Sequence, residues 1–212
     1  MGRGFFRALL WLVGIGGAIG VLLHLFVFDY WVVPGTDPMF VASIRPNLFP
    51  EDKILVRRDS SGDLRAGKLA RCTSPNPGAD YVIGRVMGLP GDTLEVKEEK
   101  VYVNGVPAVE SRHGCKPVTM VHPLNGMELT LACRVEDNGA FTYAHLYSTQ
   151  VPEGARRAVV EPGKLFLVSD NRHLHQDSRD YGLVDATTCE HVVFRLWGES
   201  FVDASRRFTV LY

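Results

Sequence analysis

Residues 81–105 read YVIGRVMGLPGDTLEVKEEKVYVNG. Tyr81 to Gly88 form a short apolar run with β-branched members, the composition of a strand. Gly88, Pro90 and Gly91 then set a tight turn, with Asp92 placed to satisfy backbone donors there. From Thr93 onward apolar and polar positions alternate on either side of Lys97-Glu98-Glu99-Lys100, so the segment is expected to fold back as a hairpin with one face on a core.

Outward from this stretch, KILVRR (53–58), KLFLVSDN (164–171) and HVVFRLWG (191–198) repeat the strand pattern, each bounded by turn residues. Helical periodicity is scarce beyond residue 30, and the expected fold class is mainly β. Between about 106 and 160 the pattern changes to a loop-rich stretch with two cysteines and three histidines, read as an inserted subdomain. Pro34 to Pro38 (PGTDP) reads as a turn.

From Ala8 to Phe28 there is no Asp, Glu, Lys or Arg, and His24 alone is ionisable. About 20 apolar residues match the hydrocarbon thickness of a bilayer. The run is longer than the apolar region of a secretory signal and no small-x-small site follows in FVFDYWVVPG, so it reads as a retained anchor. Arg3 and Arg7 before it and Asp29 after it predict a cytoplasmic N-terminus, with residues 1–30 as tip and anchor and 31–212 outside. Trp11, Tyr30 and Trp31 sit where interfacial aromatics anchor such a helix, and Gly16 with Gly20 makes a G-x-x-x-G pair able to bring two helices together.

The 212 residues, 46% hydrophobic, are enough for one core with a smaller attachment. A formal net charge of -1 with mixed signs leaves no basic field for nucleic acid. Cys72, Cys115, Cys133 and Cys189 would face an oxidising compartment and allow three pairings, of which Cys115–Cys133 with Cys72–Cys189 is preferred; free buried thiols are the alternative. No Cys/His cluster has the spacing of a zinc site, and no metal or cofactor is expected.

Three stretches, in this order, resemble the bacterial type I signal peptidase family of membrane-anchored serine peptidases. SIRPNLFPEDKILV (43–56) is similar to that family's S-M-x-P-T-L-x-x-G-D-x-I-L-V box, with Ser43 at the nucleophile and Pro46, Leu48 and Asp52 in register. GRVMGLPGDTLEVKEEKVYVNG (84–105) resembles its K-R-x-x-G-L-P-G-D box and the following hairpin. LFLVSDNRHLHQDSRDYGLV (165–184) resembles its G-D-N-R-x-x-S-x-D-S-R box. VPGTDPM, nearer the anchor, offers Asp37 in the nucleophile's place, but that choice needs extra residues before the I-L-V run.

The resemblance implies an extracytoplasmic β domain on a bacterial cytoplasmic membrane that removes signal peptides from exported preproteins. Substrates would present an extended segment with small residues before the scissile bond, paired as an added strand near Ser43. The family's lysine base is replaced by Gly84, beside the matching Arg85, and guanidinium cannot act in its stead. His175 stands where the family has a serine that touches that lysine, making it the candidate general base; an imidazole needs no burial to accept a proton at neutral pH. Asp177 and Asp170 are the nearest carboxylates to orient the ring, and Asp177 with Arg179 is expected as a bracing ion pair. Val41 replaces an oxyanion-hole hydroxyl found in many members. An inactive scaffold or assembly chaperone that keeps the substrate groove is the alternative, and His175 as an ordinary loop histidine is its counterpart at the site.

Overall fold

The computed structural model describes residues 2–58, 64–112, 114–148 and 154–212, with no side-chain description for 2, 3, 25 and 26. The side chain of Arg3, and residues 113 and 149–153 of the expected insert, therefore lie outside the described residues.

Helix α1 (Gly2–Phe26) contains the apolar segment Gly4–His24, 21 residues of mean hydropathy 2.0, none of it covered by the rest of the chain. The chain turns almost at once into β1 (Phe28–Val32), which pairs antiparallel with β2 (Lys53–Arg57). The sheet thus begins at Phe28, inside the span 1–30 assigned to the anchor. Between these strands lies a helix absent from the sequence reading, α2 (Pro38–Ser43). The PGTDP stretch ends as its start: Asp37 caps it by accepting from Met39 N and Phe40 N, and Pro38 needs no donor in the first turn.

Strands β3 (Leu69–Thr73) and β4 (Tyr81–Gly88) are followed by the hairpin β5 (Thr93–Lys97) and β6 (Lys100–Val103). The GLPGD turn forms as expected, with Asp92 accepting from Leu89 N at 2.9 Å. At the hairpin tip Glu98 and Glu99 both take positive φ, 50° and 62°, a conformation that usually selects glycine or asparagine. Glu99 is held there by its own carboxylate, which accepts from Ser148 N at 2.7 Å and meets His173 Nδ1 at 3.0 Å.

The insert supplies β7 (Val106–Pro107), β8 (Val109–Glu110), β9 (Val118–Val121), β10 (Glu128–Asp137), β11 (Thr142–Tyr147) and β12 (Arg156–Val159). It contains more regular structure than a loop-rich reading implies: β10 pairs with β11, β8 and β9 in a sheet of its own. The chain returns through β13 (Lys164–Val168), helix α3 (Ser178–Tyr181), β14 (Val184–Asp185), β15 (Glu190–Trp197) and β16 (Thr209–Val210). Among the described residues the main sheet runs β1-β2-β15-β3-β4-β13-β14, with β16 beside β15. The fold is mainly β.

Alternation along β2 buries Ile54 and Val56 against Ile83, Val192 and Leu48, each fully buried aliphatic side chain contributing roughly 1.5–3 kcal/mol. Cys72–Cys189 joins β3 to the start of β15, and Cys115–Cys133 closes the insert, the preferred pairing of the four.

Candidate active site

Helix α2 delivers Ser43 at its last turn. The residue is fully buried, and its Oγ donates to Phe40 O at 2.8 Å. The loop after β13 grips this turn from the other side: Asn171 N donates to Ser43 O at 3.0 Å, and Asn171 Nδ2 donates to Ala42 O at 3.0 Å. Ala42, Leu174, Leu146, Met120 and Leu131 form one apolar cluster, so strands of the insert pack directly over the serine helix.

His175 lies on the same loop, and both of its neighbours touch the serine-bearing helix region. Leu174 packs in the cluster with Ala42, and Gln176 Nε2 reaches Asp37 Oδ2 at 3.4 Å. The ring itself turns to Asp180 Oδ2, 2.8 Å from Nδ1. Among the described residues no hydrogen bond joins Ser43 to His175; each is engaged elsewhere.

The carboxylates expected to orient the ring have other duties. Asp170 makes a two-point pair with Arg85, at 2.7 Å to Nε and 2.8 Å to Nη2, and accepts from Asn47 Nδ2 at 2.7 Å. Asp177 caps α3, accepts from Ser169 N and holds Arg179 at 2.8 Å, the bracing pair foreseen from the sequence. Burial alone would raise the Asp177 pKa, but Arg179 and these hydrogen bonds carry it below the usual carboxylate range. His175, Asp177 and Asp180 stand within 4.8 Å of one another, a proximity explained by the capping box in which Asp180 accepts from Asp177 N.

Arg85 is buried over the Tyr143 ring, 3.8 Å from Cζ to centroid, and also donates to Gly67 O and Tyr212 O. Beside it Gly84 is packed closely: an added Cβ would lie 3.0 Å from Leu167 Cβ and 3.4 Å from Val168 O. A longer side chain there requires this wall to give.

A groove of about 600 Å³ is lined by residues of β1 and of β4. Its lining comes from the chain between Trp31 and Thr36, from Ser74 and Asn76 to Val82, and from Asp37, Phe40, Gln176 and Tyr181. β13 pairs with β4 only from Arg85 to Gly88, and among the described residues no strand pairs with Tyr81–Gly84 on that side. Asp37 lines the groove; Ser43 does not.

Sequence reasoning missed Asn171, although the third position of the S-D-N-R box was in view. It also missed the buried cluster behind the site. There Glu136 accepts from Tyr143 Oη at 2.6 Å and Arg172 Nη2 at 2.9 Å. His145 lies 3.6 Å from Glu136, and its pKa is pulled down to about 4, chiefly by burial. Only the Tyr-x-His spacing on an alternating strand signalled it.

Residues 6–197 match the family model described as signal peptidase, peptidase S26. A signal peptidase I of Bacillus licheniformis is 27% identical over 187 residues, covering 85% of this chain and 84% of that protein. A signal peptidase IB of Staphylococcus aureus (strain Mu50) is 29% identical over 190 residues, covering 88% of each. A crystal structure of a signal peptidase I from Enterococcus faecalis V583 matches 61% of this chain and 95% of its own, at 26% identity and a TM-score of 0.36. With the family model spanning nearly the whole length, the chain belongs to the signal peptidase family, peptidase S26.

Proposed function

We propose that this chain is a membrane-anchored member of its family that takes up the signal-peptide segment of exported preproteins in the β1/β4 groove, and that the conformation described holds such a segment without cutting it. The observation that carries this reading is the Tyr81–Gly84 stretch of β4, unpaired toward β13 among the described residues, whose Tyr81 and Val82 line a groove that also presents Asp37, while the one serine in register is buried at the end of α2. An extended peptide added to that edge gains backbone hydrogen bonds, and the pockets to either side select alternate side chains. Helix α1 serves as the anchor, with the N-terminus cytoplasmic and the β domain outside a bacterial cytoplasmic membrane; Gly16 and Gly20 are the face offered to a second helix.

A second reading, hydrolysis with Ser43 as nucleophile and His175 as base, is favoured by two observations. Ser43 keeps its register to β2, and both neighbours of His175 touch the serine helix or its cap. Unwinding the last turn of a six-residue helix would free the hydroxyl from Phe40 O.

Strand addition is tested with a fluorescent signal peptide and its N-methylated analogues, read by anisotropy on the full chain in neutral detergent. Methylating alternate amides in one register weakens binding about 2- to 12-fold per lost bond, and the opposite register is silent. Equal affinity for both sets removes the proposal.

A further inference from the structure

Away from the groove, Arg45, just after Ser43, is joined over the Phe49 ring by Arg206, which in turn shares a carboxylate with Arg195 of β15. Arg45 Cζ lies 5.1 Å from the centroid of Phe49, and Arg206 Cζ lies 4.0 Å from the same ring. Arg206 and Arg195 share one buried carboxylate, Asp52. A second carboxylate near them, Asp203, has its Oδ1 occupied by Ser205 N and Oγ. The Arg45 side chain has neither an ion pair nor a hydrogen bond among the described residues, and its Nε is buried without an acceptor. The Nε atoms of Arg195, itself only 8% exposed, and of Arg206 are likewise unmatched.

Two guanidiniums over one ring repel each other, and burial together with Arg206 pulls the Arg45 pKa below the ordinary arginine range. Such a cluster is stable only if something else in its surroundings compensates. The ring holds both forks by cation–π contact with N–H groups left to donate, and planar forks with unmatched donors are suited to a tetrahedral oxyanion. Gly198 lets the chain lie close against Arg206: an added Cβ there would stand 3.2 Å from Arg206 Nε and 3.3 Å from Asp52 Oδ1.

We propose that Arg45 and Arg206, seated on Phe49 and backed by Arg195, form a binding site for a phosphate group. The phosphate comes from a lipid headgroup or from free phosphate, and the chemistry of recognition is the same for both.

The test measures the thermal midpoint of the full chain in neutral detergent at constant ionic strength. It is titrated with inorganic phosphate, short-chain phosphatidylglycerol and short-chain phosphatidylcholine, for the wild type and Arg45→Gln. The expected result is a saturable rise of about 3–6 °C at ten times Kd, absent or at least tenfold right-shifted in Arg45→Gln. Because the shift and not the starting midpoint is read, an altered basal stability of the variant does not obscure it. A midpoint concentration for phosphatidylglycerol at least tenfold below that for inorganic phosphate assigns the site to a headgroup; equal midpoints assign it to free phosphate. No saturable rise with any of the three, or a rise unchanged in Arg45→Gln, overturns the proposal.

Discussion

Replacing Asp170 by Asn tests the polar pin that ties the serine-box loop to the site loop. Asp170 is 2% exposed and its oxygens accept from two Arg85 nitrogens and from Asn47 Nδ2, all within 2.7–2.8 Å. The amide cannot neutralise Arg85, which is 1% exposed and so cannot recover its hydration. Removing one partner of a buried pair costs about 3–5 kcal/mol, because the other charge is stranded. For a chain of this size that corresponds to a fall of about 6–20 °C in Tm, read by far-UV circular dichroism on the full chain in detergent. Glu95→Gln, which breaks a pair with the 74%-exposed Arg157, is the contrast and should move the midpoint by less than about 2 °C. The double change Arg85→Met with Asp170→Leu should lose less than Asp170→Asn alone, since no charge is left unpaired. An Asp170→Asn midpoint within 3 °C of the wild type would show that the pair is solvated or dispensable and would refute the reasoning.

Two further outcomes concern stability. His145 has a folded pKa of about 4, below its unfolded value near 6.5, so its contribution is intact above about pH 6.5 and is lost as pH falls toward 4. That is about 2.5 kcal/mol by pH 4.5; His191, also pulled down to about 4, acts in the same direction, and His145→Gln should flatten its own share of the decline in Tm between pH 6.5 and 4.5. Glu136 and Asp177, held below their usual values, lose their contribution only at lower pH, so they leave this window clear. Of the disulfides, Cys72–Cys189 closes a separation of 117 residues and Cys115–Cys133 one of 18, so the chain-entropy difference is about 1.7 kcal/mol. Removing the first pair by double alanine substitution should lower the guanidinium midpoint more than removing the second; the reverse order would contradict the argument.

The strands, the GLPGD turn and the Glu98–Glu99 hairpin were legible because each rests on local chemistry: β-branched alternation, glycines, and an aspartate within reach of its own turn. The Asp177–Arg179 pair was legible for the same reason, with a single residue between charge and charge. Helix α2 left a readable sign in Asp37-Pro38, a cap followed by the residue that tolerates a first turn, but PGTDP reads equally well as a turn. What could not be read is what buries Ser43. Met120, Leu131 and Leu146 come from an insert whose folding is set by tertiary contact, and Asn171 reaches the serine helix across 128 positions of sequence. Register to the I-L-V run fixes where Ser43 stands in the chain, and it does not say which way its hydroxyl turns. Likewise Asp170 was adjacent in sequence to the His175 loop, yet Arg85 on β4 claims it, and the ring takes the carboxylate of the α3 capping box instead.

Whether the groove holds or cuts is the claim on which the account rests. A purified full-length chain in detergent, incubated with an exported preprotein and followed by mass spectrometry, decides it when wild type, Ser43→Ala and His175→Ala are run side by side. The account predicts that the preprotein is recovered whole in all three reactions. A released signal peptide in the wild-type reaction that vanishes in both variants would contradict it and establish the serine–histidine route.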